Sequence, residues 1–417
     1  MHVGVAASAK PVFAPDPVRL ALPDKPSIAV LPFQNMSGDP EQEYFADGMV
    51  EDIVTGLSRI KWLFVIARNS SFVYKGKAVD IRQVGRELGV RYVLEGGVRK
   101  AGNRLRITGQ LIEAETGAHI WADRFDGALE DVFDLQDQIT DRVVGVVEPS
   151  LQRSEIERSR RKHPDSLDAY DLYLRALPHM TLAMPADAKI AAGFLERALE
   201  LDPSYVPARA RLAHCHQIYF ESAGLADEAD RTAAVRHARI ATASGTDDAT
   251  ALAVAAFVIN SMGKDKETAL NAIERALALN SSCAAAHYFG ALMYAFAGDP
   301  APAIASANRA LRLSPFDPAI FQAHIALGLA AIVEGRYDEA ASHCARAAQA
   351  NPGFGWLYFF HAEALALSGR LKEAEPIARR GLELVPFYRI AMFAAYGTGP
   401  ALVDKLTEAA RLLGLPE

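Results

Sequence analysis

The chain has 417 residues, a formal net charge of −7 and three cysteines. A negative balance argues against a protein that holds nucleic acid mainly by neutralising phosphates. No window of about 18 uncharged apolar residues occurs, so we expect no membrane-spanning helix. Cys215, Cys283 and Cys344 are odd in number and scattered, which indicates small reduced core residues rather than a disulfide framework.

Residues 1–26 read as a proline-rich, poorly ordered leader. Their apolar run, Val3 to Ala7, is shorter than the core of about 7 to 15 residues that a signal peptide needs. We therefore expect the chain to stay in the cytoplasm. The prolines of this leader are Pro11, Pro15, Pro17, Pro23 and Pro26.

Residues 27–150 predict an α/β domain with a mixed sheet and flanking helices. Ser27 to Phe33 reads as a short buried strand that ends at Pro32. Asp39 to Gln42 then places an N-cap, a first-turn proline and a capping-box partner in order, which predicts a helix. One face of that helix carries Phe45, Met49, Ile53 and Leu57.

The pattern of the remaining residues predicts one more strand and helix, followed by three strands that two hairpin turns connect. Leu63 to Ile66 reads as a second strand, and Asp80 begins a helix that Gly89 stops. Gly102-Asn103 and Thr116-Gly117 are predicted hairpin turns. The strands around these turns are predicted at Tyr92 to Arg99, Leu105 to Ile112 and Ala118 to Phe125.

The second of these strands alternates strictly, which predicts a sheet with one buried face and one face that is wet or covered by a partner. Leu105, Ile107, Gly109 and Leu111 alternate with Arg104, Arg106, Thr108 and Gln110. From Asp131 the pattern is helical again.

Residues 151–166 predict a helical linker. Its segment from Glu155 to Lys162 is highly charged, so we expect it to be exposed and sensitive to proteases. We also expect the parts on either side to fold alone when the chain is cut near His163-Pro164.

Residues 167–415 predict an all-α solenoid of helical hairpins. Pro315, Pro352 and Pro386 end successive segments, and with Ser281 upstream the intervals are 34, 37 and 34 residues. That spacing is typical of tetratricopeptide repeats, whose period is about 34 residues. Small residues recur where two helices of a hairpin must approach closely: Ala191, Ala198, Ala269, Ala276, Ala303, Ala310, Ala340, Ala347, Ala374 and Gly381.

The stretch between Pro203 and Ser281 has room for a degenerate repeat, with an extended turn around Ala223 to Arg231. In the better repeats, the first helix of each pair is expected to present one face to a concave groove that holds a protein or peptide. Ordinary packing between repeats explains some of these residues equally well, Ile325 and Leu329 above all. The candidate groove residues are Tyr288, Leu292, Gln322, Ile325, Leu329, Trp356, Phe359 and Glu363.

The α/β part resembles a known family at four places. Ile28 to Phe33, Phe45 to Gly48, Gly89 to Glu95 and Gly117 to Ala122 are similar to the TolB amino-terminal-like domain of bacterial signalling proteins. That resemblance implies a domain that commonly precedes tetratricopeptide repeats. In such proteins it follows either a class III adenylate cyclase catalytic domain or a winged-helix DNA-binding domain.

Three further segments are especially similar to the cyclase-linked branch from proteobacteria: Asp24 to Ser27, Phe64 to Ser71 and Asp123 to Asp126. Because 26 residues precede the first predicted strand, we expect neither upstream output domain to be present.

We nominate no catalytic, cofactor-binding or metal-binding residue. Asp47 and Asp52 are the nearest pair of aspartates, but they share one predicted helix and fit solvent or capping roles. His214 and His216 point to different sides of a helix, so they cannot chelate together without a distant third ligand.

The sequence therefore favours a non-enzymatic scaffold or sensory-regulatory protein that binds a protein or peptide through its repeats, without cofactor. Two alternatives stay open. The chain could be the regulatory portion of a class III adenylate cyclase system without the catalytic domain, or the accessory part of a transcriptional regulator without its DNA-binding domain.

Overall fold

The computed structural model describes residues 25–37, 41–101, 104–128, 132–163, 166–180, 184–222, 224, 227–314, 317–395 and 398–417. An N-terminal mixed sheet with helices precedes an array of helical hairpins, which confirms the predicted fold class. Most of the predicted leader, the Gly102-Asn103 turn, Pro315 and part of the predicted turn at 223–231 lie outside these residues.

The described part of the sheet has its strands in the order β3-β1-β4-β5-β6, and β2 also pairs with β4. β1 runs parallel to β3 and β4, whereas β4, β5 and β6 form an antiparallel meander. The strand bounds are β1 (Ser27–Val30), β2 (Gln34–Asn35), β3 (Phe64–Val65), β4 (Tyr92–Ala101), β5 (Arg104–Glu113) and β6 (His119–Ala128).

Two helices of the α/β part form where the sequence predicts them, and the expected cap residues of the first, Asp39 and Pro40, lie outside the described residues. The helices among these strands are α1 (Glu41–Ser58), α2 (Arg68–Ser71) and α3 (Ile81–Leu88). α3 begins after Asp80, whose carboxylate accepts from the Arg82 amide, and ends at Gly89, which adopts a φ of 63°. All four predicted inward residues of α1 are buried: Phe45, Met49, Ile53 and Leu57.

The alternation predicted for β5 is confirmed. Leu105, Ile107 and Leu111 are buried, while Arg104 and Arg106 are exposed. The first strand is shorter than predicted, because it leaves the ladder at Val30 before the proline at position 32. The two-residue strand β2 and the short helix α2 were not foreseen, since neither is long enough to show a period.

A helix of 30 residues, α4 (Val132–Arg161), joins the two halves. The predicted exposure of Glu155 to Lys162 holds for one face of the helix only: Glu157, Arg160 and Arg161 are exposed, whereas Glu155 and Ser159 are fully buried. Glu155 accepts a hydrogen bond from Tyr92 and pairs with Arg158. The inward face of this segment therefore forms a polar packing layer between α4 and its neighbours.

The helices after α4 pack as successive hairpins. In the part of the chain that the structure describes, the stretch between α16 and the last long helix is irregular and contains the short helix α17. The bounds are α5 (Ala169–Met180), α6 (Pro185–Leu201), α7 (Val206–Ser222), α8 (Glu228–Ala243), α9 (Ala249–Gly263), α10 (Lys266–Leu279), α11 (Ala284–Phe296), α12 (Pro300–Leu313), α13 (Phe321–Val333), α14 (Tyr337–Ala350), α15 (Trp356–Leu367), α16 (Leu371–Leu384), α17 (Met392–Ala395) and α18 (Pro400–Leu412).

The small residues of the predicted repeat frame lie at helix contacts, as expected. Ala303, Ala340 and Ala374 have no exposed surface. At Gly381 a Cβ atom would come within 2.9 Å of the Phe359 ring. The predicted degenerate repeat is the hairpin of α7 and α8. The three cysteines, all among the described residues, are buried and carry free thiols.

Candidate ligand-binding cavities of the solenoid

The hairpin array curves so far that its first turns meet its last ones. A Cβ atom at Gly224, after α7, would lie 3.5 Å from the ring of Phe387, after α16. At Gly353, before α15, a Cβ atom would lie 3.3 Å from the sulfur of Met184, before α6. These contacts narrow the concave face of the solenoid to cavities that stay partly open to solvent.

One part of this space, the aromatic cavity, is bounded by the first helices of the hairpins and by the segment around α17. Its space is about 870 Å³ when the open solvent at its mouth is included, and about 100 Å³ is open to the centres of water-sized molecules. Aromatic side chains dominate its wall: Phe257, Phe296, Phe321, Phe354, Trp356, Phe360 and Phe393.

His214 is a buried polar residue in the wall of the aromatic cavity. Its ring is 8% exposed and lies edge-on to Phe257 and Phe289, with centroids 6.3 and 6.2 Å away. Its Nδ1 has no hydrogen-bond partner among the described residues. Burial lowers the pKa of His214 to about 3, helped by the charge of Arg211, so the ring is neutral at pH 7.

Glu221 and Thr398 are further polar residues of this wall, beside Gln217 and Gln322. Burial raises the pKa of Glu221 to about 7, while the hydrogen bond from Gln217 partly opposes that rise. Thr398 places a buried hydroxyl oxygen in the wall, again without a partner among the described residues. An apolar cavity with a few convergent polar groups is the usual form of a small-ligand site.

A second space, the α4 cavity, lies between α4 and the inner helices, with about 1600 Å³ of space when the open solvent at its mouth is included. Arg153 and Arg211 bring positive charge to its wall, and Glu148 and Asp317 bring carboxyl groups. Burial raises the pKa of Glu148 to about 7, with a contribution from the nearby Asp248 carboxylate. His214 lines both cavities and so forms part of the wall between them.

Five of the eight sequence-predicted groove residues line one of these cavities. Leu292, Ile325 and Trp356 line the aromatic cavity, and Tyr288 lines the α4 cavity. Gln322 contributes to both. They face two partly open cavities rather than one continuous groove.

The other three lie in the packed interior, which corrects their expected place in the groove. Leu329, Phe359 and Glu363 have no exposed surface. The ring of Phe359 stacks on Tyr388 at 3.9 Å, and the Tyr388 hydroxyl donates to Glu363 at 3.0 Å. The segment after α16 thus covers the positions that a following repeat would cover.

Sequence reasoning missed the contribution of α5, α7 and the segment around α17. Their cavity residues come from hairpins that are far apart along the chain, and only closure of the solenoid brings them together. Phe257 was the available signal, because the equivalent positions of the later repeats carry the small residues Ala291, Gly328 and Ala362. It stacks on Phe289 with centroids 4.9 Å apart.

The other residues considered for chemistry have structural partners. His216 contacts Asp230 at 2.8 Å, and Cys215 contacts the sulfur of Met180 at 3.2 Å. Asp47 accepts from Lys75 at 2.7 Å. Within the described residues, no group of three or more histidine, cysteine or acidic side chains is arranged to hold a metal ion.

Family models for the tetratricopeptide repeat match residues 264–318, 297–353 and 331–395. The chain carries tetratricopeptide repeats. A thermophilic tetratricopeptide repeat protein of Thermus thermophilus is 23% identical, over 47% of this chain and 98% of that chain, with a TM-score of 0.35. TolB from Acinetobacter baumannii is 15% identical, over 29% of this chain and 28% of that chain, with a TM-score of 0.21.

The part that precedes the tetratricopeptide repeats matches another family. Residues 24–142 match the model of the HilA/YgeH-like transcriptional regulator, second domain. “Putative adenylate cyclase 3” of Rhizobium meliloti (strain 1021) is 53% identical over 192 residues, which is 46% of this chain. This chain spans 33% of the length of that relative. Among the described residues, no helix is both long enough and apolar enough to cross a bilayer.

Proposed function

We propose that this tetratricopeptide protein is a non-enzymatic, sensory-regulatory scaffold that acts in the cytoplasm and binds a segment of a partner protein. The observation that carries the proposal is the α4 cavity, where the helix that joins the two halves forms one wall and the inner repeat helices form the other. A segment bound there would contact both the joining helix and the repeats.

Size supports the α4 cavity over the aromatic cavity as the place for a protein segment. An α-helix with its side chains is about 10 Å across. The aromatic cavity, with about 100 Å³ open to water centres, is too narrow for one, whereas the α4 cavity offers about 460 Å³ by the same measure. An extended segment of a few residues fits the latter.

The charged side chains in the wall of the α4 cavity favour a polar partner segment. The wall presents Arg153 and Arg211 beside Glu148 and Asp317. Groups of both signs favour a partner segment that carries both donors and acceptors, because each desolvated charge then gains a partner.

Which activity this chain regulates is proposed from its similarity to the Rhizobium meliloti relative. This chain shares 53% identity over 192 residues with a protein named as an adenylate cyclase. We infer that the shared region is a regulatory portion of a class III adenylate cyclase system, and that catalysis belongs to a separate region.

A second candidate is the accessory part of a transcriptional regulator. The match of residues 24–142 to the second domain of a HilA/YgeH-like transcriptional regulator favours it. The two candidates differ in the partner: a cyclase catalytic region in the first, a DNA-binding region in the second.

Site-specific crosslinking tests the binding role. The photoreactive residue p-benzoylphenylalanine at Gln322, in the cavity wall, should crosslink a partner in cells that produce the full chain. The matched control is the same residue at Gln349, which is exposed on the outer helix α14. Mass spectrometry of the adduct would then show a cyclase or a regulator. Equal adducts at both positions, or none at Gln322, would count against the cavity as the binding place.

A further inference from the structure

The aromatic cavity has the size of a small-molecule site. Empty cavities of about 150 Å³ lined by leucine, isoleucine and phenylalanine bind benzene. The aromatic cavity offers about 100 Å³ by a comparable measure and is partly open to solvent, which suits a molecule built on a single aromatic ring. Contacts between early and late turns, at Gly224 and Gly353, close the solenoid around it.

Two polar atoms in this wall lack hydrogen-bond partners among the described residues. They are Nδ1 of His214 and the hydroxyl oxygen of Thr398. A buried polar atom without a hydrogen-bond partner destabilises the folded protein, so a ligand that supplies the partner gains affinity. A ligand that offers one hydroxyl or amide group could satisfy His214 while its body fills the apolar space.

The charges of the side chains that line the cavity restrict the chemical class of the ligand further. The described residues that line the cavity include no lysine or arginine, and their acidic residue is Glu221. The Glu221 carboxyl already accepts a hydrogen bond from Gln217 at 2.7 Å. An anionic ligand would lose its hydration without gaining a counter-ion, which is strongly unfavourable in an apolar site.

We propose that the aromatic cavity binds a small uncharged molecule with an aromatic or aliphatic body and one hydroxyl or amide group that hydrogen-bonds to His214. This site is separate from the proposed protein-segment site and does not depend on it. Because His214 lies in the wall of both cavities, a bound molecule would also stiffen one wall of the α4 cavity.

Calorimetric titration of the full chain with phenol, an uncharged aromatic ring with one hydroxyl, tests the proposal. Benzenesulfonate is the anionic comparison and should bind at least about tenfold more weakly. His214→Phe should weaken phenol binding by about fivefold, the worth of one hydrogen bond, and leave benzene binding within about twofold.

Ile218→Trp fills the cavity and should abolish binding of phenol. Ile240→Trp is the matched control, because Ile240 is exposed on α8. If Ile218→Trp fails to fold by circular dichroism, Ile325→Phe takes its place. Failure of phenol to bind the wild-type chain at millimolar concentration would overturn the proposal, and so would unchanged binding in the filled variant or equal binding of the sulfonate.

Discussion

The hydroxyl of Tyr92, on β4, donates a 2.7 Å hydrogen bond to the carboxylate of Glu155, near the end of α4. Both residues are buried, and the same carboxylate pairs with Arg158 at 2.7 Å and with Arg91 at 3.4 Å. This polar cluster fixes the far end of α4 to the sheet. Beside this cluster, Lys162 and Arg158 form ion pairs with Asp171 of α5. Polar contacts therefore link the sheet to α4, and α4 to the first repeat.

Tyr92→Phe should lower the stability of the α/β part by about 1 to 3 kcal/mol, because it leaves a buried carboxylate with one donor fewer. The matched control is Tyr44→Phe, since Tyr44 is 82% exposed and should tolerate the change. Thermal melts of the two variants provide the comparison. Equal melting temperatures would mean that the cluster does not stabilise the junction.

Gly145→Ala should loosen the contact between α4 and the repeats. A Cβ atom there would lie 1.8 Å from the carbonyl oxygen of Leu313, so the helix must move. We expect a loss of about 1 to 3 kcal/mol, the usual effect of overpacking. Gly193→Ala is the control, because that helical glycine has nothing within 4 Å of the added atom and alanine favours helix by about 1 kcal/mol. An increase in stability in both variants would contradict the close contact between Gly145 and Leu313.

Local patterns were sufficient to predict most of the fold. The cap at Asp80, the stop at Gly89 and the alternation of β5 each depend on a few neighbouring residues, and each formed as expected. The burial of Glu155 could not be foreseen, because a charged run reads as exposed unless its partners are known. Those partners, Tyr92 and Arg91, lie more than 60 residues earlier in the chain.

The candidate site was only partly predictable for a similar reason. The repeat frame identifies which face of a helix points inward, and it therefore found Leu292, Ile325 and Trp356. The repeat frame also assumes that another repeat follows each hairpin and packs against it. Tyr388, in an irregular segment without a period, takes the place of that repeat and buries Phe359 and Glu363.

Ala340→Glu should destabilise the repeats on the order of 3 kcal/mol or more, because it buries a charge and overpacks a helix contact. Ala340 has no exposed surface. Lys372→Glu introduces the same carboxylate at an exposed position of α16 and should change little. Similar melting temperatures for the two variants would show that the repeat frame is misplaced.

Glu221→Gln should stabilise the protein in a pH-dependent way. Burial raises the pKa of Glu221 from 4.5 to about 7, so the folded state holds the proton more tightly than the unfolded state. The stabilisation of the folded state by this bound proton is complete below pH 4.5 and is lost as the pH rises through 7. The gain from the uncharged variant should therefore be small at pH 5 and approach about 3 kcal/mol at pH 8.

Melts at the two pH values measure this difference. Glu228→Gln, at a residue that is 69% exposed, should show no such dependence. A gain for Glu221→Gln that is equal at pH 5 and pH 8 would exclude a protonated carboxyl in the cavity wall.

Cyclic AMP production tests the central claim, that the chain regulates a cyclase and does not catalyse. The purified chain with ATP and magnesium or manganese is compared with a chimera in which the matching region of this chain replaces that of the Rhizobium meliloti relative. The account predicts no cyclic AMP from the chain alone and activity from the folded chimera within about tenfold of that relative. Reproducible turnover by the repurified chain, or a folded but inactive chimera beside an active relative, would contradict it.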